Sequence, residues 1–457
     1  MTKDQDIVVI GCGAGGGTAA QFSRKTDRKS TITIFEKGKY PQYSKCGIPY
    51  IISGEISNIK NLIEFSDEWF KNANIDLLLE TTVEKIDIKN KMIYAKKTGR
   101  AIEKSFNKLI IGTGAKPFIP SIENISIKGI YVVRSIDDIK NISEYIKNIK
   151  NATIIGAGLI GLEMADSLRR KGLKTTIIEA LPNILENNLD EDIGKLVFEK
   201  IPDDIKVYSD HMVEKIEKKE DKITKVIIKG KKTNRKKFID TDILIIAAGT
   251  KPDTLIARSI GCKIGTTGGI LVNNKSETTV KDVYAVGDCT EYVDFVTKKP
   301  LLVGLGSVVV RQGIAAGINA AGGKYKLPQG FLNTCASKIF NTEIASVGPI
   351  SNKIDKEFSV VAARYSGSSL PEYFPGGNPI TIKILVDEYT GMIMSAQAVG
   401  ENAAQRINTF ACGILARFDI DTLRKLETAY APPISPTLDA ETLVCDMAFM
   451  KIARKKR

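Results

Sequence analysis

The 457-residue sequence predicts an α/β fold: two Rossmann-like dinucleotide-binding domains followed by a C-terminal α+β domain. Three observations carry this reading. A β-branched run enters a glycine turn at Asp6-Ile-Val-Val-Ile-Gly11-Cys-Gly13-Ala-Gly-Gly16, and a helix-forming stretch then leads to a second strand, Thr31 to Glu36. The plan recurs at Ala152-Thr-Ile-Ile-Gly156-Ala-Gly158-Leu-Ile-Gly161, with a helix over Leu162 to Lys171 and a strand over Thr175 to Glu179. Beyond Lys324 the pattern changes to alternating strands, Thr381 to Val386 and Ile393 to Val399, with a helix near Ala403 to Ala416.

A single G-x-G-x-x-G is weak evidence, but each copy here follows a strand, opens a helix and reaches an acid at the end of the next strand. Glu36 lies 25 residues after Gly11, and Glu179 lies 23 after Gly156. The first glycine permits the tight turn, the second lets a pyrophosphate approach the backbone, and the third lets helix pack on strand. The helix N-terminus stabilises the phosphate charge. The terminal carboxylate hydrogen-bonds ribose hydroxyls and repels a 2′-phosphate, which favours NADH over NADPH at the second site and leaves NADPH as the alternative. The fingerprints alone do not say which dinucleotide occupies which site.

Two further strands end in glycine and proline, Lys108-Leu-Ile-Ile-Gly-Thr-Gly114-Ala-Lys-Pro117 and Asp242-Ile-Leu-Ile-Ile-Ala-Ala-Gly249-Thr-Lys-Pro252. They read as crossings between the two nucleotide domains. Thr279-Val-Lys-Asp-Val-Tyr-Ala-Val-Gly287-Asp288 then places an acid at a strand end, suited to a flavin's ribityl hydroxyls. The expected organisation is a discontinuous first domain over 1–118 and 250–325, a second over 119–249, and a third over 326–457.

Composition excludes other classes. The formal charge of +13 sits mostly in two runs, Lys229 to Lys237 and the last seven residues, with Lys451, Arg454, Lys455, Lys456 and Arg457. Such runs are solvated faces or chain ends, so neither nucleic acid nor membrane is expected as a partner. The most apolar stretch, Leu301 to Gly322, contains Arg311, Gln312 and several glycines and cannot span a bilayer. The start, with acids at Asp4 and Asp6, is wrong for a secretory signal, and a cytoplasmic location is expected. Seven cysteines, at 12, 46, 262, 289, 335, 412 and 445, form no CxxC pair and read as free thiols. The single His211 leaves almost no material for histidine metal clusters or Ser/Cys-His catalysis, so no metal is expected.

With these motifs in order, the chain resembles the flavin-dependent pyridine nucleotide-disulfide oxidoreductases over essentially its whole length. The resemblance implies that Gly11, Gly13, Gly16, Glu36, Lys37, Gly114, Gly287 and Asp288 bind FAD, and that Gly156, Gly158, Gly161, Glu179 and Gly249 bind NADH. It also implies that the third domain makes a homodimer. Within the family, Pro41-Gln-Tyr-Ser44-Lys45-Cys46-Gly-Ile-Pro-Tyr50 sets the subgroup: residues 51 and 49, where two-cysteine reductases place a second thiol, are Ile and Pro. The motif is similar to that of the coenzyme A-disulfide reductases, NADH oxidases and persulfide or polysulfur reductases. Cys46 would then carry a mixed disulfide or a sulfenate, with a helix N-terminus and Lys45 lowering its pKa. The other cysteines read as buried and inert, among them Cys289, Cys335, Cys412 and Cys445.

Tyr373, in Pro371-Glu-Tyr373-Phe-Pro-Gly-Gly, and Tyr430, in Glu427-Thr-Ala-Tyr430-Ala-Pro-Pro, match segments that in coenzyme A-disulfide reductases bring a tyrosine from each dimer partner over the active cysteine. A phenol there donates to a leaving thiolate, a role that His211, sitting in the second domain, cannot fill. Arg24 matches an arginine that contacts coenzyme A phosphate, with Ser44 and Lys45 assisting. Two departures stand out: Lys45 replaces the usual Asn or Ser, and Leu159 stands where many relatives carry a tyrosine. The implied activity is reduction of a small disulfide or persulfide, foremost coenzyme A-disulfide, by NADH through FAD and Cys46. The alternatives are an NADH oxidase yielding peroxide or water, a polysulfide or elemental-sulfur reductase, and an electron-transfer flavoprotein.

Overall fold

A computed structural model describes residues 5–455. The first fingerprint strand, Asp6–Ile10, sits mid-sheet in the parallel order Val283–Ala285, Lys108–Ile111, Asp6–Ile10, Thr31–Phe35, Asp76–Leu78. The second fingerprint strand, Asn151–Ile155, occupies the same place in the parallel order Lys206–Tyr208, Lys174–Ile178, Asn151–Ile155, Ile243–Ile246, Ile130–Val132. Ile7, Val8, Val9, Ile154, Ile177 and Ile245 are all buried, as expected of parallel strands covered on both faces. Strand order therefore reverses beside each glycine loop, where the carboxyl ends of neighbouring strands leave a crevice for a ligand.

The helices observed, Ala14–Thr26 and Leu159–Arg170, begin directly after Gly13 and Gly158. The second starts three residues before the expected Leu162, because Leu159 and Ile160 already belong to its first turn. Ala14–Thr26 packs on Gly306–Ala320 at backbone contact: a Cβ on Gly313 would lie 2.6 Å from the Gly15 carbonyl oxygen. Only small residues permit that approach.

Each parallel sheet carries an antiparallel three-stranded meander that the sequence pattern did not separate out. These are Thr81–Asp87, Met92–Lys97, Arg100–Ser105 and His211–Lys219, Lys222–Gly230, Lys236–Asp240. Between the two units, Ala115–Pro117 pairs antiparallel with Thr250–Pro252, so the two Gly/Pro strand ends form a shared two-stranded link.

The third unit is an antiparallel sheet in the order Cys335–Ile339, Thr342–Val347, Ile393–Gly400, Pro379–Asp387, Val360–Ser368. Ile380, Ile382, Ile384 and Val386 alternate inward from one strand. They share a core with Ile407 and Phe410 of helix Ala403–Ala416 and Val444 of helix Ala440–Lys455. Lys383 ties this unit to the second through Asp190 Oδ2 at 2.9 Å and Asp192 Oδ1 at 2.6 Å. Among the described residues no helix is long and apolar enough to cross a membrane. Of the basic end of the chain, Lys456 and Arg457 lie outside the described residues.

Candidate active site

The first glycine loop is built around a turn only glycine adopts easily: Gly11 has φ +96°, and Gly156 repeats it at +104°. A side chain on Gly16 would overlap the Gly11 carbonyl, and one on Gly161 would overlap that of Gly156. By contrast, nothing lies within 4 Å of a Cβ built on Gly13 or Gly158. That open cradle stands at a helix N-terminus with no acidic residue in its first turn, in both copies. It suits a pyrophosphate.

The two strand-end acids are held alike. Glu36 accepts from Cys12 N at 2.6 Å and Gly38 N at 2.6 Å; Glu179 accepts from Ala157 N at 2.6 Å and Leu181 N at 2.8 Å. Each carboxylate oxygen takes one backbone N–H, leaving lone pairs for ribose hydroxyls. Gly114, Gly249 and Gly287 all have positive φ at strand ends. Lys37 is exposed beside Glu36.

One residue the sequence reading missed stands at the centre. Arg134 leaves the end of strand Ile130–Val132 in the second unit and donates from Nη2 to Asp288 Oδ2 at 2.7 Å. It lies alongside Gly114, and its Nε is buried without a partner. An orphaned guanidinium N–H beside Gly114 and Asp288 fits a group rich in phosphate and hydroxyl oxygens, and with the open cradle at Gly13 the residues present fit a flavin dinucleotide. The available signal was position: a basic residue at the carboxyl end of a parallel strand, followed by the capping box of Ser135 and Asp138.

Cys46 sits in a single 3₁₀ turn, Lys45–Gly47, that runs into helix Ile48–Ser53. The residue is open to solvent on one side, and protein packs around the thiol on the other. The expected lowering of its pKa is not what the surroundings give. Burial by neighbouring protein pushes the thiol up, the Glu163 and Asp288 carboxylates add to this, and Arg134 opposes it. Lys45 is not the cation that matters; burial pulls its own ammonium pKa down, with Arg134 adding repulsion. The half-buried Ser44 is anchored by its backbone N–H to Leu62 O at 2.8 Å.

Behind the Cys46 helix, a cavity of about 180 Å³ opens where the three units meet, lined by Tyr50, Glu163, Ser167, Arg170 and Lys338 among others. Ser337 Oγ donates to Glu163 at 2.5 Å across the domain boundary, and burial raises the Glu163 pKa.

Arg24 makes bonds of its own, and two further expectations need correction. Arg24 donates to the backbone carbonyls of Ala73, Asp27, Arg28 and Asn74, which commits four of its five N–H groups to pinning its helix end. These bonds make it a clasp on the helix end. Tyr373 and Tyr430 were expected from opposite partners, but their hydroxyls lie 2.7 Å apart within one chain. One protomer therefore presents both, on exposed loops, and the hydrogen bond holds the Tyr373 phenol above its ordinary pKa. Finally, Cys412 is exposed and Cys335 only half-buried, unlike Cys289 and Cys445, whose thiols burial pushes up to about 11 and about 12. His211 lies in the second unit, its Nδ1 2.7 Å from Ser209 O.

Comparison with known proteins decides the family. The pyridine nucleotide-disulphide oxidoreductase model matches residues 5–313, and the dimerisation-domain model of the same family matches 334–441. The chain belongs to the pyridine nucleotide-disulphide oxidoreductases. This member of an FAD- and NAD(P)H-using family is 37% identical to an NADH oxidase of Methanocaldococcus jannaschii over 98% of this chain and 99% of that one. It is 32% identical to a CoA-dependent NAD(P)H sulfur oxidoreductase of Pyrococcus abyssi, over 95% and 96%. The solved NAD-dependent persulfide reductase from A. fulgidus superposes with a TM-score of 0.93 at 32% identity, covering 98% of this chain and 84% of that one. The oxidoreductase carries the family's dimerisation domain, in keeping with a homodimer.

Proposed function

We propose that this oxidoreductase uses NADH to reduce a sulfur–sulfur bond carried by coenzyme A, as a disulfide or a persulfide, through Cys46. One observation carries the reading: an exposed thiol opens a short helix within the field of Arg134 and Asp288, with Ile51 and Pro49 where a second cysteine would stand. A lone thiol needs its second sulfur from the substrate. The activities of the sulfur and persulfide reductases named above support the same chemistry.

FAD, when bound, supplies the two-electron link between nicotinamide and sulfur. Gly11, Gly13, Gly16, Glu36, Gly114, Arg134, Gly287 and Asp288 would hold it; Gly156, Gly158, Gly161, Glu179 and Gly249 would hold NADH. The Cys46 thiolate attacks the sulfur–sulfur bond, forming a mixed disulfide and expelling one thiolate. The partner protomer's tyrosine pair meets that leaving group, with Tyr430 giving the proton. Two electrons and a second proton then return Cys46 to the thiolate and release the second thiol. The balance is one NADH and one proton per disulfide.

Tyr430→Phe is expected to lower kcat for disulfide reduction about 100-fold, within the usual range for loss of a general acid. NADH-to-ferricyanide turnover, which needs no leaving thiolate, should be preserved. Equal loss in both assays would assign Tyr430 to packing alone. Arg134→Ala removes a charge-assisted donor and should weaken FAD retention about tenfold or more, read as flavin released on ultrafiltration. Unchanged retention would take Arg134 out of the flavin site.

The second reading is an NADH oxidase acting through a Cys46 sulfenate, favoured by the 37% identity to the M. jannaschii protein. Intact mass and a Cys46 peptide map of protein purified without reductant separate the two. A dithiothreitol-removable coenzyme A adduct supports the thiol reading, and addition of oxygen alone supports the oxidase.

A further inference from the structure

The acid at the second site argues for NADH, yet the rim beside it is not uniformly negative. Three segments are zipped together there by their backbones. Asp210 N donates to Leu181 O at 3.0 Å, His211 N to Glu179 O at 3.0 Å, and Lys231 N to Asp210 O at 2.8 Å. This brings the turn of the basic hairpin against the residue that follows Glu179, and Lys231 Nζ donates to Ala180 O at 3.0 Å.

The hairpin carries Lys229, Lys231, Lys232, Arg235, Lys236 and Lys237, and among the described residues Lys231 is the one whose side chain bonds the residue after Glu179. Glu179 has both oxygens engaged by the Ala157 and Leu181 N–H groups, which turn it back into the glycine loop. Asp210 contributes its backbone to the zipper. His211 places Nδ1 against Ser209 O and its ring 5.6 Å from that of Tyr208, whose other neighbour is Lys237 at 4.4 Å. Lys236, on the same hairpin, is paired with Glu214 at 2.6 Å. Among the described residues Lys231 has no carboxylate partner; its ammonium meets only a carbonyl and keeps two N–H donors.

We propose that Lys231 is a specificity-determining residue: its ammonium receives the 2′-phosphate of NADPH at the second nucleotide site, so the chain accepts NADPH beside NADH despite Glu179. The 2′ position of an adenosine ribose bound by a strand-end acid lies next to that acid and the following residue, which is where a cation serves NADP. The two free N–H donors of the ammonium can take phosphate oxygens while the third stays on the Ala180 carbonyl, and a charged acceptor makes those bonds stronger. The proposal rests on the second fingerprint being the nicotinamide-nucleotide site.

The test uses the FAD-loaded protein and compares kcat/KM for NADPH and NADH in wild type, Lys231→Ala and Lys231→Arg. Wild type should turn over both. Lys231→Ala should lower the NADPH-to-NADH ratio about tenfold, through KM, and Lys231→Arg should keep it. Added salt should depress NADPH use more in wild type than in Lys231→Ala, and 2′-phospho-AMP should become a weaker competitor in the variant while AMP does not. An unchanged ratio in Lys231→Ala, or a wild type inert to NADPH, overturns the proposal. Failure of NADH to reduce bound flavin in wild type would overturn the site reading beneath it, a distinct result.

Discussion

Cys46→Ser is expected to lower NADH-driven reduction of a coenzyme A disulfide by about 10³-fold or more, as loss of a covalent nucleophile does. NADH-to-ferricyanide electron flow should persist in the same preparation. The split follows from the site. Cys46 is the exposed thiol of the Lys45–Gly47 turn, and none of the groups that build either nucleotide cradle depends on its sulfur. A serine hydroxyl of nearly the same size leaves Ser44 N on Leu62 O and the helix start intact. Parallel loss of both activities would mean that Cys46 shapes the flavin site instead of accepting its electrons. Retention of both would support a pure electron-transfer flavoprotein. Because burial, Glu163 and Asp288 all raise the thiol's pKa, the residual alkylation rate of the wild-type thiol should climb with pH above neutrality.

The parts of this site that were legible in the sequence are those whose chemistry is backbone-local. Gly11, Gly16, Gly156 and Gly161 are required by turn geometry and helix–strand approach, and Glu36 and Glu179 by their place at a strand end, so spacing alone found them. The lone thiol was equally plain, since Ile51 and Pro49 are read directly. What spacing could not supply was long-range placement. Arg134 reaches Asp288 across 154 positions, Ser337 reaches Glu163 across 174, and Tyr373 meets Tyr430 across 57. The same limit hid the clasp made by Arg24, whose guanidinium bonds the Ala73 and Asn74 carbonyls of a turn about fifty positions away. Thiol acidity failed for a related reason: the neighbour in sequence, Lys45, was weighed, whereas the neighbours in space are Glu163, Asp288 and Arg134.

Asp439→Asn is expected to cost about 3–5 kcal/mol, the usual effect of removing one member of a buried ion pair. Arg406 Nε and Nη2 meet the two Asp439 oxygens at 2.7 and 2.9 Å, with both side chains almost fully buried. The pair does more than stabilise one helix. Arg406 Nη1 donates to Glu401 O at 2.8 Å, the Glu401 carboxylate accepts from Ser369 Oγ, and Asn378 N donates to Ser369 Oγ at 3.0 Å. Asp439 closes the loop that bears Tyr430, and Ser369 to Asn378 closes the loop that bears Tyr373. One polar chain therefore fixes both tyrosine loops relative to each other. The variant should show a lower urea midpoint and, in protein still folded, a larger loss of disulfide reduction than of ferricyanide turnover. Replacing both partners, Arg406→Met with Asp439→Leu, should recover much of the stability without recovering the tyrosine-dependent step, because the Glu401 carbonyl stays unserved. The network also sets a pH dependence. Burial and Asp439 push Glu441 up to about 8, so its contribution is complete below its ordinary value and is lost as pH rises through about 8. Asp439 is held low by Arg406, and its contribution is lost instead as pH falls. Glu441→Gln should flatten the fall in stability from the ordinary carboxylate range up to about pH 8 and leave the acid limb set by Asp439; an unchanged slope in that window would show that Glu441 is already ionised in the folded protein at neutral pH.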